Sequence, residues 1–349
     1  MDFDFSVIHV GFHYLMSDFT NGSRVLATKA VQTLHDAIQS DSHSPAEKKQ
    51  LWEHLRIAGY MLSTARPSMG AAITSAVVQA LNAVQGSDLG AREVLEQEIN
   101  KRKHTRQVLA GNFVAWMRQY AAKPGCLKII TLSLSSTLSA CLHQAICELV
   151  HLKFQICILE SRPNCEGADF GVQLVRELPS EARIGRFYVE VAPESHICQL
   201  VKNVDIVILG ADRISCEGDV SNKMGSFLCA LAAKRLAPNC RVIAVSDTDK
   251  IAKPGPTGDA TEESGPVQEV MAAWKEETRS AVEGLEKAAI LRVHNIYFER
   301  VPQMFVDLYL TENGVMSKDD IWELSNAKEK AETKLFDADI RSLAERQMA

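Results

Sequence analysis

Side chains that could carry out acid–base chemistry follow the apolar run VDIVIL of residues 204–209. Asp212 comes just after this run, and Asn222 and Lys223 follow it closely. An aspartate at the carboxyl end of a buried strand faces the crevice in which parallel sheets usually bind ligands. A carboxylate can move a proton, and a nearby lysine can hold both that charge and a phosphate. A structural turn would tolerate Asp212 but would not require Asn222 and Lys223, so the pattern favours a binding or catalytic site.

Two other apolar runs are also followed by polar residues. LKIITL leads into SLSST at residues 133–137, and FQICIL leads into ESRPNCEG at residues 160–167. Hydroxyl groups at a helix entrance can cap its free N–H groups, and the same N–H groups can bind an anion; capping alone would explain SLSST. Arg162 could bind a phosphate or carboxylate, or it could pair with Glu160, and the sequence leaves both open.

No residue pattern indicates a cofactor or a metal. The sequence contains no GxGxxG, Walker-type, HExxH or GxSxG motif. Dinucleotide-binding, P-loop and hydrolase functions therefore lose their usual support. We expect neither a cofactor nor a metal ion.

The elements that must position these residues are strands that alternate with helices. The β-rich runs are LKIITLS, FQICILES, RFYVEV, VDIVILGAD and RVIAVSD. Such alternation indicates βαβ units and a parallel sheet covered on both faces. The predicted fold class is therefore α/β. Residues 252–268 are rich in Pro, Gly and acidic residues, which predicts a surface loop, with a lid over the site as the alternative.

The first third of the chain has helical periodicity instead. Apolar residues recur at helical spacing at Ala27, Val31, Leu34 and Ile38. Ser44, Pro45 and Glu47 predict the start of the next helix, because Ser and Glu at this spacing form a capping box. AAKPG at residues 121–125 breaks the pattern. We predict a helical domain at residues 1–122 and a sheet-containing domain at residues 123–349.

Composition limits the classes of partner. The formal net charge is -6, and KRKHTR at residues 101–106 is the notable basic run, so direct nucleic-acid binding is not favoured. No apolar run approaches the ~18–20 residues of a membrane span, and the N-terminus is acidic. The cysteines number nine, with no CxxC pair. A cytoplasmic protein with buried free thiols is the expectation.

The segment GADRISCEGDVSNKMGSFLCALAAK resembles the signature of one family. That family joins the alpha, beta and delta subunits of eukaryotic translation initiation factor 2B with methylthioribose-1-phosphate isomerase and archaeal ribose-1,5-bisphosphate isomerase. ARPSMGAAI at residues 65–73, ILESRPNCEG at 158–167 and NIYFERVPQMFVDLYLTENGV at 295–315 agree in the same order. The resemblance implies a helical N-terminal domain followed by a Rossmann-like domain that binds sugar phosphates and mediates dimerisation.

The resemblance also implies residue roles. In the isomerases the ligand is a pentose with a phosphate on C1, and by this likeness Asp212 is the acid/base. Asn222 and Lys223 would hold the sugar phosphate, with Arg66 and Arg162 as additional contacts.

Two departures from the isomerase pattern concern Ser133 and Asn21. The catalytic cysteine of the isomerases falls on Ser133, whose hydroxyl would need a base that no adjacent residue in the sequence clearly supplies. Cys141 lies about two helical turns further on and is a poor substitute. Asn21 replaces an arginine of the phosphate motif, as in the factor 2B beta and delta subunits, and Arg24 is the candidate to restore that charge.

Two functions follow from these observations. The first is an aldose–ketose isomerase of a pentose-1-phosphate. The second is a non-catalytic, factor 2B-like regulatory subunit that senses a sugar phosphate or nucleotide and associates with translation factor subunits. For either function we expect a homodimer formed through the C-terminal domain and no membrane contact. The apolar stretch MFVDLYL would suit a subunit interface or an internal core equally well.

Overall fold

The structure is a computed structural model that describes residues 3–18, 21–40, 44–255, 264–287 and 290–348. The first part of the chain is helical: α1 (Phe5–Ser17), α2 (Ser23–Ala37), α3 (Pro45–Thr64), α4 (Gly70–Gln85) and α5 (Ala91–Tyr120). The stripe of α2 is buried as predicted, since Ala27, Val31 and Leu34 have no exposed surface. The predicted capping box of α3 forms: Ser44 Oγ accepts the N–H of Glu47, whose carboxylate accepts the N–H of Ser44.

The second part of the chain contains the strands. They are β1 (Gly125–Leu132), β2 (Leu152–Leu159), β3 (Phe187–Ala192), β4 (Ile206–Leu209), β5 (Arg213–Ile214), β6 (Val220–Lys223), β7 (Arg241–Val245), β8 (Phe298–Val301), β9 (Leu308–Thr311) and β10 (Gly314–Met316). Seven of them form one sheet in the order β10-β9-β7-β4-β1-β2-β3, and β5, β6 and β8 form a small second sheet. Within the large sheet all neighbours are parallel except β9 and β10.

Nine further α-helices follow α5 in the described part of the chain. They are α6 (Ser136–Glu148), α7 (Glu166–Glu177), α8 (Ser180–Arg183), α9 (Ile197–Leu200), α10 (Ser226–Leu236), α11 (Val267–Met271), α12 (Glu276–Lys287), α13 (Lys318–Leu335) and α14 (Ala338–Met348). The adjacent residues Ile129 and Ile130 of β1 point to opposite faces and pack in different apolar clusters. Because both faces are covered, the strands are continuous apolar runs, as in other parallel sheets.

The sheet order reverses next to β1. Strands β2 and β3 lie on one side of it, whereas β4 and β7 lie on the other. At such a switch point the connections leave in opposite directions and open a crevice at the carboxyl ends of the strands. Ser133 follows β1 at this crevice, and Asp212 follows β4.

The two parts of the chain are joined by shared helices. Ile99 of α5 packs in the core of the helical layer, whereas Phe113 of the same helix packs under the sheet. Phe336 and Ile340, at and after the end of α13, pack in the helical core as well. The division into residues 1–122 and 123–349 therefore stays a prediction.

The stretch MFVDLYL contributes strand β9 of the large sheet. Tyr309 and Leu310 are buried within this chain, so these residues serve the internal core. None of the described helices is both long and apolar enough to cross a membrane. The described residues also include no group of three or more His, Cys, Asp or Glu side chains that could hold a metal ion.

Candidate functional site

A cleft of about 960 Å³ lies at the crevice, between the helical layer and the carboxyl ends of β1 and β4. Its wall includes these residues predicted from the sequence: Asn21, Arg24, Arg66, Ser133, Asp212, Asn222 and Lys223. Arg162 lies instead at a small adjoining pocket. Its exposed guanidinium donates to Glu160 at 2.7 Å, so the ion pair is the alternative that the structure shows.

Asp212 is held at the cleft by the backbone of the small sheet. Its N–H donates to the carbonyl of Ser221 at 2.8 Å. Lys250, and not Lys223, supplies the ammonium group near its carboxylate, with Nζ 3.8 Å from Oδ1. Lys250 Nζ also donates to the carbonyl of Ala211, which fixes the ammonium beside Asp212. The expectation that Lys223 would balance the charge of Asp212 was therefore wrong.

Ser133, Glu166 and Lys223 form a hydrogen-bonded chain on the cleft wall. The hydroxyl of Ser133 donates to Glu166 Oε2 at 2.7 Å, and Lys223 Nζ lies 3.1 Å from Glu166 Oε1. The ammonium of Lys223 also lies 5.2 Å from the ring centroid of Tyr297 and 5.0 Å from that of Phe298. Glu166 is thus the proton acceptor for Ser133 that the sequence did not reveal.

Backbone geometry places Ser133 and Glu166 in contact. Ser133 has φ 62°, a left-handed conformation that costs a non-glycine residue about 1–2 kcal/mol and turns its side chain off the line of β1. Glu166 begins α7, and the next residue, Gly167, lies against β2. A Cβ atom at Gly167 would overlap the carbonyl oxygen of Leu159. The absence of a side chain at residue 167 therefore lets α7 approach closely enough for Glu166 to reach Ser133.

Gly167→Ala should destabilise the protein by about 1–3 kcal/mol, because α7 must move away from β2 to relieve the overlap. Gly111→Ala in α5 is the matched control. Nothing lies within 4 Å of a Cβ atom built there, so alanine should stabilise the helix by about 0.5–1 kcal/mol. Urea denaturation of both variants measures the difference. Equal stabilities for the two variants would show that the approach of α7 is not restricted by residue 167.

Asn222 is buried and partly committed to the backbone that follows it. Its Nδ2 donates to Ser226 Oγ at 2.9 Å, and Ser226 Oγ donates to the carbonyl of Lys223 at 2.6 Å. The side chain of Asn222 therefore stabilises the turn into α10, and the residue also lines the cleft.

Asn21 and Arg66 are connected through the end of α1. Both the N–H and the Nδ2 of Asn21 donate to the carboxylate of Asp18, at 3.0 and 2.7 Å. The buried guanidinium of Arg66 donates to the carbonyl of Asp18 and to Ser68 Oγ. These two predicted ligand contacts thus also organise the helical side of the cleft.

Arg24, the sequence-based candidate to restore the phosphate-motif charge, lines the cleft. Its Nη2 donates to the carbonyl of Arg102 at 2.6 Å, and its buried Nη1 has no hydrogen-bond partner among the described residues. Burial lowers the pKa of Arg24, and Asp247 acts in the opposite direction. Arginine remains charged at neutral pH even so.

Two helix N-termini border the cleft. Residues 22–25 at the start of α2 and residues 133–137 at the start of α6 line it. No side chain caps α2, while Ser135, rather than Ser133, caps α6 through the N–H of Leu138. Free N–H groups and the helix dipole favour anions at these positions. At the start of α10, by contrast, Glu299 accepts the N–H groups of Gly225 and Phe227.

A buried charge network lies behind Lys250. The carboxylate of Asp249 is 2.6 Å from Arg102 Nη2 and accepts hydrogen bonds from Ser75 and Gln79 of α4. Lys328 Nζ donates to the carbonyls of residues 248, 249 and 251, which surround Lys250. Burial lowers the pKa of Lys328 to about 8, against the effect of nearby acidic groups. The network therefore fixes the turn that presents Lys250 to Asp212.

The remaining expectations concern Cys141 and the loop at residues 252–268. Cys141 is fully buried, and burial raises its pKa strongly, which agrees with the prediction that it does not replace the missing catalytic thiol. Residues 256–263 of the loop lie outside the described part of the chain. Gly265 and Glu269, which follow them, line the cleft.

Glu166 and Lys250 are two cleft residues whose contacts with Ser133 and Asp212 sequence reasoning missed. Glu166 stands in the same ESRPNCEG segment as Arg162, and Lys250 follows the strand RVIAV. Glu166 follows β2 and Lys250 follows β7, at the same sheet edge as Ser133 and Asp212. These positions could have identified both residues as members of the site.

Comparison with known proteins supports both the fold and the family. A segment of 115 residues is 36% identical to methylthioribose-1-phosphate isomerase of Alkalilimnicola ehrlichii and covers 33% of this chain and 30% of that protein. The chain matches less than half the length of such curated relatives.

Solved structures show the same fold over most of the chain. The tetrameric eIF2B-beta2-delta2 complex from C. thermophilum gives a TM-score of 0.62 at 16% identity, covering 92% of this chain and 94% of that chain. 5-Methylthioribose 1-phosphate isomerase from Pyrococcus horikoshii gives 0.57 at 17% identity, covering 94% and 87%. The model of the initiation factor 2 subunit family matches residues 20–318. The chain therefore belongs to the initiation factor 2 subunit family.

Proposed function

We propose that the protein is an aldose–ketose isomerase of a pentose-1-phosphate, of the methylthioribose-1-phosphate or ribose-1,5-bisphosphate type. The observation that carries the proposal is the arrangement of two acid–base groups on one cleft. Asp212 stands beside Lys250, and the chain of Ser133, Glu166 and Lys223 stands on the same wall. The relatives named methylthioribose-1-phosphate isomerase support this choice of reaction.

The proposed reaction moves one hydrogen from C2 to C1 of the sugar and opens the ring. Asp212 removes the C2 proton as the bond between C1 and the ring oxygen breaks, and the chain ending in Ser133 protonates that oxygen. The product of this step is an enol phosphate. Asp212 then returns its proton to C1, while Ser133 accepts the proton of the C2 hydroxyl and restores the chain. The ketose keeps its phosphate on C1, and the protein ends in its starting protonation state.

We call the hydrogen-bonded chain of Ser133, Glu166 and Lys223 the relay. It explains how a serine at residue 133 could take part in proton transfer. A serine hydroxyl alone is a weak acid and a weak nucleophile at neutral pH. In the chain, the ammonium of Lys223 is the proton source, and the carboxylate of Glu166 passes the proton to the hydroxyl. In the proposal the helix N-termini of α2 and α6, with Arg24, hold the phosphate.

A direct test is to incubate the purified protein with methylthioribose-1-phosphate or ribose-1,5-bisphosphate and follow the anomeric and ketose carbons by ¹³C NMR. Loss of the C1 anomeric signal with growth of a C2 carbonyl signal would support the isomerase. Binding of both compounds without turnover would reject it.

Glu166→Gln should lower turnover by about 10²–10⁴-fold, the usual contribution of one acid–base group. The amide keeps the size of the side chain and can still accept the hydrogen bond from Ser133, but it cannot carry a proton. Glu160→Gln is the matched control, because Glu160 pairs with the exposed Arg162 and does not line the cleft. Steady-state kinetics and melting temperatures of both variants are the measurement. Turnover of Glu166→Gln within threefold of the control would eliminate the relay.

The second candidate is a regulatory subunit that senses a sugar phosphate or nucleotide and associates with translation factor subunits. The engagement of Asn21 by Asp18, in place of a phosphate-binding arginine, favours it. A rise in melting temperature with the sugar phosphates and no turnover would select this function. For either function we propose that the protein acts in the cytoplasm as a homodimer formed through its sheet-containing part, which light scattering of the purified protein tests.

A further inference from the structure

A second cavity of about 390 Å³ lies between α4 and α13. Its wall has no residue in common with the cleft that contains Asp212. Residues 251–253 and Arg213 also line it. The volume lies in the range of small-molecule sites, which is roughly 300–1,000 Å³.

Arg213 gives this cavity its charge. It directly follows Asp212 and begins β5. Asp212 lines the cleft, whereas Arg213 lines the second cavity. The side chain of Arg213 makes no hydrogen bond or ion pair with any described residue. The residue is half-buried, and burial lowers the pKa of Arg213 while Cys216 acts in the opposite direction.

The other charged groups around the cavity are already paired. Lys328 donates to the carbonyls of residues 248, 249 and 251. Lys253 Nζ lies 2.5 Å from Glu332 Oε1. Among the described residues of the wall, Arg213 is therefore the positively charged group that has no partner. A guanidinium group removed from bulk water is stabilised by an anion, so an anionic ligand would pair with it.

The rest of the wall is largely apolar and small. Its apolar members include Ala71, Val78, Ile251, Leu324, Ala327 and Ala331. The small side chains leave room along the line where α4 and α13 face each other. We propose that this cavity binds a small molecule that carries a carboxylate or a phosphate on a short apolar body, with the anion at Arg213 and the apolar body between α4 and α13.

Isothermal titration of the purified protein with hexanoate, hexyl phosphate and hexan-1-ol tests the proposal. One or both anions should bind saturably in this cavity and at least tenfold more tightly than the alcohol. Comparison of the two acids shows whether the head group is a carboxylate or a phosphate. Saturable binding by neither acid, or equal binding of the alcohol, would overturn the proposal.

Variants locate the binding site. Arg213→Met should weaken anion binding at least tenfold, and Arg213→Lys should restore part of it. Ala327→Leu should block binding, because the larger side chain fills the cavity while Arg213 stays in place. If Arg213→Met fails to fold, Ala327→Leu alone tests whether the anions bind in this cavity. Arg118→Met, which removes an exposed cation that lines neither cavity, should bind the anions like the wild type. If neither Arg213→Met nor Ala327→Leu weakens the binding of either anion, or if Arg118→Met weakens it equally, the anion lies elsewhere and the assignment is refuted.

Discussion

Asp212→Asn should lower the turnover of a pentose-1-phosphate by about 10³–10⁴-fold, at the upper end of what one acid–base group contributes. The amide is nearly the same size and keeps the backbone hydrogen bond to Ser221, but it can neither accept the C2 proton nor return it to C1. Binding of the sugar phosphate should persist, because the groups proposed to hold the phosphate belong to α2 and α6. The measurement combines kcat from ¹³C NMR with the shift in melting temperature caused by the substrate.

Asp205→Asn is the control for this experiment. Asp205 lies at the opposite end of β4, where its carboxylate accepts the N–H of Lys128 at 2.8 Å. This variant should lose some stability but retain kcat within a few-fold. If Asp212→Asn also retained kcat within a few-fold while the wild type turned over substrate, Asp212 would not be the proton carrier.

Arg102→Met should cost about 3–5 kcal/mol of the free energy of unfolding, because it leaves the carboxylate of Asp249 buried without its ion pair. Arg118→Met removes an exposed pair with Glu148 and should cost less than about 1 kcal/mol. The double variant Arg102→Met/Asp249→Asn should be more stable than Arg102→Met alone, since the stranded charge is gone. Urea denaturation at pH 7 measures all three. Equal costs for Arg102→Met and Arg118→Met would contradict this account of the network.

The same pair predicts a pH dependence. Burial raises the pKa of Asp249, but Arg102 and Lys328 outweigh burial, so the pKa of Asp249 in the folded protein is lowered. The ionised carboxylate therefore contributes stability that is fully present above the unfolded pKa of about 3.9 and is lost as the pH falls through the folded pKa. The stability difference between wild type and Arg102→Met should be largest near neutral pH and should shrink below about pH 4.

The sequence was informative where local pattern and tertiary structure agree. The strands β1, β2, β4 and β7 coincide with the β-rich runs, because both faces of a parallel sheet are buried inside it and the run must be largely apolar. Strand β3 also coincides with its run, although it is an edge strand and only partly buried. The capping box of α3 depends on residues three apart and formed as predicted. Motif resemblance, together with strand ends, placed Ser133 and Asp212 on one cleft.

Contacts between distant segments could not be predicted in this way. Asp249 binds side chains of α4 and α5, and Lys328 binds the turn after β7, so no local spacing marks the network. The ammonium beside Asp212 comes from Lys250, which the sequence places far from the GAD segment. Helix α1 was also missed, since its cap is a single acceptor, Asp4, that binds the N–H of Ser6.

Helix α14 is synthesised after every strand of the sheet, yet it packs against α3 in the core of the helical layer. While the ribosome is still producing residues 318–348, the helical layer lacks Phe336 and Ile340 and exposes apolar surface. The large sheet, whose last strand ends at Met316, can assemble earlier. Chains stalled before residue 336 should therefore depend on chaperones for the first helices rather than for the strands.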